Sequence, residues 1–176
     1  MTTMPITPPI LTADDLHWFN EGSHTRLYNK LGSRRWTHEG VEGVYFAVWA
    51  PDAHQVHVMG DFNQWSRDAH PLAPRGGSGI WEGFVPELPA GTRYKYYIRS
   101  RYNQYAVDKT DPYAYHTEVS PLTASFVWGL DYQWGDDSWM HTRGERHGLD
   151  APLAVYEVHL GSWMRSGEPG QFDNYR

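Results

Sequence analysis

The sequence predicts a mainly β chain: an immunoglobulin-like β-sandwich, a short helical lead before it, and the opening strand of a second, buried sheet after it. Three observations carry this. Short runs rich in Val, Ile, Phe, Tyr and Trp fill residues 40–128, and most of them alternate in polarity. Clusters of Gly, Pro, Asp and Asn separate the runs at the spacing of all-β domains. The last run, 153–160 (LAVYEVHL), is apolar at Leu153, Val155, Tyr156, Val158 and Leu160 without keeping to one side, as in a strand covered on both faces of a parallel sheet.

The elements follow in order. After a leader with Pro5, Pro8 and Pro9, Thr12 is placed to cap a helix from Ala13, with Asp14 and Asp15 in the first turn and Gly22 as the stop. A second short helix is expected over 23–31, where Leu27, Tyr28 and Leu31 cluster before Gly32. Strands are expected at 44–50, 55–60, 79–86, 92–99, 104–107 and 124–128. In the first, Val44, Phe46 and Val48 share one face and Tyr45, Ala47 and Trp49 the other, so both faces have rings or aliphatics to bury. In the fourth, Tyr94, Tyr96 and Ile98 face the core while Arg93, Lys95, Tyr97 and Arg99 face outward. The domain plan is a helical lead at 1–38, the sandwich at 39–128, a polar linker at 129–150 and the start of a second domain at 151–176. Only 16 residues follow Leu160, too few for a crossover and a parallel partner, so the second domain is expected to be incomplete.

Composition excludes several classes. A net charge of −6 argues against nucleic acid as a partner. The absence of cysteine removes disulfides, thiolate nucleophiles and Cys-based metal sites. No stretch approaches the ~18 apolar residues of a membrane span, and the N-terminus lacks a basic region leading into an apolar one, so a membrane-free, cytoplasmic protein is expected. His54 and His57, three apart on a strand, point to opposite faces and make a metal site improbable among the ten histidines. Glu157 and His159 lie in the last expected strand and are assigned no catalytic role.

Three stretches together resemble one family: 16–31 (LHWFNEGSHTRLYNKL), 46–65 (FAVWAPDAHQVHVMGDFNQW) and 155–163 (VYEVHLGSW). Between them YKYY at 94–97 and DPYAYHTEVSPLTAS at 111–125 follow in the same order. They are similar to the N-terminal part of bacterial 1,4-alpha-glucan branching enzymes, of the alpha-amylase superfamily. The resemblance implies glycogen synthesis, an alpha-1,4-glucan such as glycogen or a maltooligosaccharide as ligand, no cofactor, and a carbohydrate-binding module in the sandwich. It also implies that 151–176 open a truncated (β/α)8 barrel, the partner in cis whose Asp nucleophile and Glu acid/base cut and transfer the glucan by a retaining mechanism. About 250 residues make such a barrel, so these 176 carry no catalytic residue and are expected to be inactive alone. Related isoamylase-type debranching enzymes and trehalohydrolases share the order; Asn20-Glu21-Gly22 and the run Asp111-Pro112-Tyr113-Ala114 favour branching.

The resemblance also nominates a glucan-binding set: Trp65 as a stacking platform, Lys95 as a donor to hydroxyls, Asn63 beside them, and Tyr102 or Tyr105 as a second ring. Each residue has a plainer alternative. Trp65 would pack on Leu72 or Trp81, Lys95 would sit on a solvated strand face, and Asn63 with Asp61 would close a turn through side-chain-to-backbone bonds. A sandwich that only braces the barrel through exposed aromatics is the competing role.

Overall fold

The computed structural model describes residues 10–103, 105–159 and 163. These form two compact units, Met1–Asp131 and Tyr132–Arg176. The first opens with α1 (Ala13–Glu21), followed by a 3₁₀ turn at Leu27–Asn29 and eight strands: β1 (Gly32–His38), β2 (Val41–Trp49), β3 (Ala53–Gly60), β4 (Ala73–Pro74), β5 (Ile80–Pro86), β6 (Arg93–Ser100), β7 (Ala106–Lys109) and β8 (Ser125–Phe126).

Two antiparallel sheets form the sandwich. One runs β1-β2-β5-β4; the other runs β3-β6-β7, with β8 pairing the start of β6. Strand β2 behaves as its alternation requires. Val44, Phe46 and Val48 enter the core between the sheets with Val56, Val58, Val85, Tyr94 and Tyr96, while Tyr45 and Ala47 pack on the opposite face with Ile80, Leu11 and Leu31. Phe46 meets the rings of Tyr94 and Tyr96 edge-on at 5.0 and 6.5 Å, an arrangement their quadrupoles favour. The helical lead therefore covers the outer face of one sheet, and each fully buried large side chain contributes roughly 1.5–3 kcal/mol.

Two buried carboxylates tie these layers. Asp111 accepts from Tyr94 (2.5 Å), Tyr96 (3.2 Å) and the Tyr113 amide (2.8 Å), and its own amide donates to Ser125 Oγ (2.9 Å). Burial pushes its carboxyl pKa up, and the hydroxyls partly offset this. Glu82, fully buried under the lead, accepts from Tyr45 and pairs with Arg75 at 3.0 Å. Arg75 in turn donates to the Leu11 carbonyl at 2.8 Å.

Thr12 caps α1 through a reciprocal box with Asp15, and Gly22 closes it in a left-handed conformation, both as expected. Three elements differ from expectation. The second helix shrinks to a single 3₁₀ turn because Leu27, Tyr28 and Leu31 supply only one turn of apolar periodicity. Residues 32–38 are a strand, not part of a helical lead: β1 pairs with β2 from Gly32↔Ala47 to His38↔Val41 across the two-residue turn Glu39-Gly40, both left-handed at φ 50° and 82°, and this hairpin overrides a sequence with no alternation. In the second unit, Asp137–Arg146 within the expected linker is α2, which buries nothing. It lacks the apolar stripe that would mark it, but has Asp137 in its first turn and Arg143 and Arg146 in its last, which complement the helix dipole.

Residues 153–159 adopt no strand, and Leu153, Val155 and Tyr156 are exposed. No β-ladder among the described residues includes 153–158, so the expected barrel strand has no neighbouring strand to fix an extended conformation. Leu160, which ends that run, lies outside the described residues. Among the described residues no helix is long and apolar enough to cross a membrane.

Candidate functional site

The run Gly60-Asp61-Phe62-Asn63-Gln64-Trp65 leaves the end of β3 and builds a rigid turn residue by residue. Gly60 lies so close to β6 that a Cβ there would stand 2.1 Å from the Arg93 carbonyl oxygen, which excludes any side chain. Phe62 plugs the core cluster from its margin. The Asn63 side chain accepts from the Gly60 amide (2.9 Å) and donates to the Val58 carbonyl (3.0 Å) and His70 Nδ1 (3.0 Å), so both its donors are used inside the turn. Gln64 and Trp65 then both adopt left-handed backbone, φ 55° and 60°. That conformation is strained for a bulky aromatic and persists only where its surroundings over-determine it.

The surroundings here are explicit. Trp65 N donates to the Gly60 carbonyl at 2.9 Å, and its indole Nε1 donates to Asp61 Oδ1 at 3.2 Å. Asp61 is held by Arg93, whose Nε and Nη2 each donate at 3.0 Å. The Arg93 guanidinium beside it lowers the Asp61 pKa, so the anchor stays ionised. His70, which closes the turn through Asn63, is partly buried, and that burial lowers its pKa and favours the neutral ring. Trp65 is half-buried and belongs to neither core cluster, whereas Leu72 and Trp81 lie within the core.

Beside Trp65 opens a cleft of about 530 Å³ lined by Met59, Ser66, Arg67, Asp68, Lys95 and Asp108. Lys95 reaches it from the outward face of β6, opposite Met59 of β3. Its Nζ donates to Thr123 Oγ1 at 2.7 Å, which orients the ammonium and leaves two further N–H groups. The turn after β3 and the outer face of β6 thus bring Trp65 and Lys95 together, with Asn63 behind them in the turn.

Tyr102 and Tyr105 lie elsewhere. They are exposed in the β6–β7 hairpin, which is fastened at the start of β3 by Arg101 Nε on the Ala53 carbonyl (3.0 Å) and by the Arg101 amide on the Asp52 carbonyl (2.9 Å). The strand runs five residues from Lys95 to Ser100, about 16 Å at 3.3 Å per residue, so the hairpin leaves from the far end of β6. The cleft is also lined by Arg67 and Asp108, neither of which the sequence marks as a site residue. Arg67 lies in an irregular loop without a pattern, and Asp108 is marked only by its register opposite Tyr97. Among the described residues no three His, Asp or Glu side chains converge as a metal site would need.

Residues 30–114 match carbohydrate-binding module 48 (isoamylase N-terminal domain). The chain is 49% identical over 163 residues to a 1,4-alpha-glucan branching enzyme of Albidiferax ferrireducens, covering 92% of this chain and 25% of that protein. It is 50% identical over 159 residues to the branching enzyme of Thermosynechococcus vestitus, covering 90% of this chain and 20% of that one. The chain thus spans about a quarter or less of the length of these relatives. A ligand-free pullulanase structure from Klebsiella pneumoniae aligns with 58% of this chain and 10% of its own, at 27% identity and a TM-score of 0.46.

Proposed function

We propose that this chain, whose residues 30–114 match carbohydrate-binding module 48, holds an alpha-1,4-linked glucan in the cleft between Trp65 and Lys95. One observation carries the reading: a tryptophan kept out of the core, in strained left-handed backbone, with its indole edge pinned by Asp61 beside a lysine in the same cleft. A flat ring held this way offers a face to the C–H side of a pyranose, and the lysine supplies donors to its hydroxyls. A fixed ring binds with little loss of side-chain entropy.

The relatives support a place within a branching enzyme, as the part that keeps a glucan chain close to the transferring site. The transfer from alpha-1,4 to alpha-1,6 linkage would then be done by paired carboxylates in a (β/α)8 barrel outside these 176 residues, in the cytoplasm where glycogen is made. Titration of maltoheptaose into the chain should quench tryptophan fluorescence, and Trp65→Ala should remove the quench while the far-ultraviolet spectrum stays unchanged. An unquenched wild-type chain would reject the binding role. The bracing role has its own support in Trp36, Trp49 and Trp128, each more than two-fifths exposed. It predicts that the chain stays in the supernatant in a glucan pull-down.

A further inference from the structure

Arg67 and Asp108 form an ion pair with two contacts on the rim of the cleft: Arg67 Nε donates to Asp108 Oδ1 at 3.1 Å and Nη2 donates to Oδ2 at 2.7 Å. The guanidinium also lies 5.5 Å from the centroid of the Tyr97 ring, and Asp108 sits directly across from Tyr97 in the β6–β7 ladder. The pair is therefore held from below and from the side. Its side chains are 59% and 26% exposed, and a surface pair of this kind adds little to stability. Stability alone gives little reason for a fixed guanidinium–carboxylate unit in the cleft that Trp65 lines.

The hydrogen-bonding inventory of the cleft gives a better one. Lys95 carries only donors, the Trp65 N–H is already committed to Asp61, and Ser66 and Asp68, which also line the cleft, are joined to each other by the Asp68 amide on Ser66 Oγ at 3.4 Å. Arg67 retains three of its five N–H groups after binding Asp108, and each Asp108 oxygen retains acceptor capacity. The pair thus presents adjacent donors and acceptors at one rim. In a 1,4-linked glucose unit, C1 and C4 are taken by the chain, so the 2- and 3-hydroxyls are its one vicinal pair, and each is both donor and acceptor. We infer that Arg67 and Asp108 are specificity-determining residues that read the 2,3-diol of a glucose unit stacked on Trp65, with Tyr97 beneath as the positioning ring. This rests on the glucan reading above and adds to it which hydroxyls are recognised and by what.

The test uses the 176-residue chain and two probes measured by calorimetry: β-cyclodextrin, a ring of seven alpha-1,4 glucoses, and its heptakis(2,3-di-O-methyl) derivative, whose diols can no longer donate. The wild-type chain should prefer the unmethylated ring by roughly tenfold or more, the scale of hydrogen bonds to charged groups. Arg67→Ala and Asp108→Ala should erase the preference. Arg67→Lys, which keeps charge and bulk but loses the two-point geometry, should erase it as well. Unchanged melting temperatures would exclude unfolding as the cause. Variants that keep the wild-type preference overturn the assignment while leaving the glucan reading intact. A wild-type chain that binds neither probe, like Trp65→Ala, overturns both.

Discussion

His70 shows how one residue links the turn to pH. Its Nδ1 accepts from Asn63 Nδ2, which requires that nitrogen to be unprotonated, and partial burial lowers its pKa below the ordinary 6.5. A depressed histidine pKa means that the unfolded chain takes up the proton first. The stability it contributes is then complete above about pH 6.5 and is lost as pH falls through the lower folded value. Wild-type stability in urea should fall between about pH 7 and pH 5. Substitution His70→Asn, which suits a backbone at φ 51°, should flatten that part of the profile. Parallel slopes for both proteins would refute the coupling. The other residues of the turn divide their tasks in ways their types announce: a glycine where no Cβ fits, an aspartate aimed at an indole, and an asparagine whose donors replace backbone ones.

At the scale of elements, the helical lead is fastened more by buried charge than by its own propensity. A nine-residue helix is too short to be stable alone. Asp15 is the first fastener: it accepts from Thr12 and pairs with Lys30 and His24, both at 2.9 Å. Hydrogen bonds from Lys30, Thr12 and His24 outweigh its desolvation and hold its pKa far below the usual carboxylate range. The second fastener is Glu82 with Tyr45 and Arg75, directly under Leu11 and Leu31. Removing one member of a buried charged pair strands the other. Glu82→Ala should therefore cost about 3 kcal/mol, measured as the shift of the urea midpoint, while Glu82→Gln, which still accepts from Tyr45, should cost less. Equal losses for the two variants would show that the carboxylate charge beside Arg75, and neither side-chain shape nor the Tyr45 hydrogen bond, governs the position.

For the molecule as a whole, the first unit contains both core clusters, from Leu11 to Val127, and every strand among the described residues. A chain ending at Asp131 should consequently melt with the same midpoint and cooperativity as the 176-residue chain, checked by calorimetry. A lower midpoint would mean that the second unit stabilises the first. The sequence by itself determined the sandwich and its facing. Alternation in residues 44–48 and 94–98 assigns each side chain to a side, because a strand has a period of two and burial admits only one register. It also determined the cap on α1 and the turn chemistry at 60–65, where contacts are local and residue types are nearly sufficient. Tertiary structure alone decided that Tyr102 and Tyr105 stand at the far end of β6, and that Arg67 and Asp108, 41 residues apart, pair in the cleft that Trp65 lines. Those outcomes depend on which strand edges meet and on how a loop folds back across them, and long-range pairing leaves no local periodicity from which to read it.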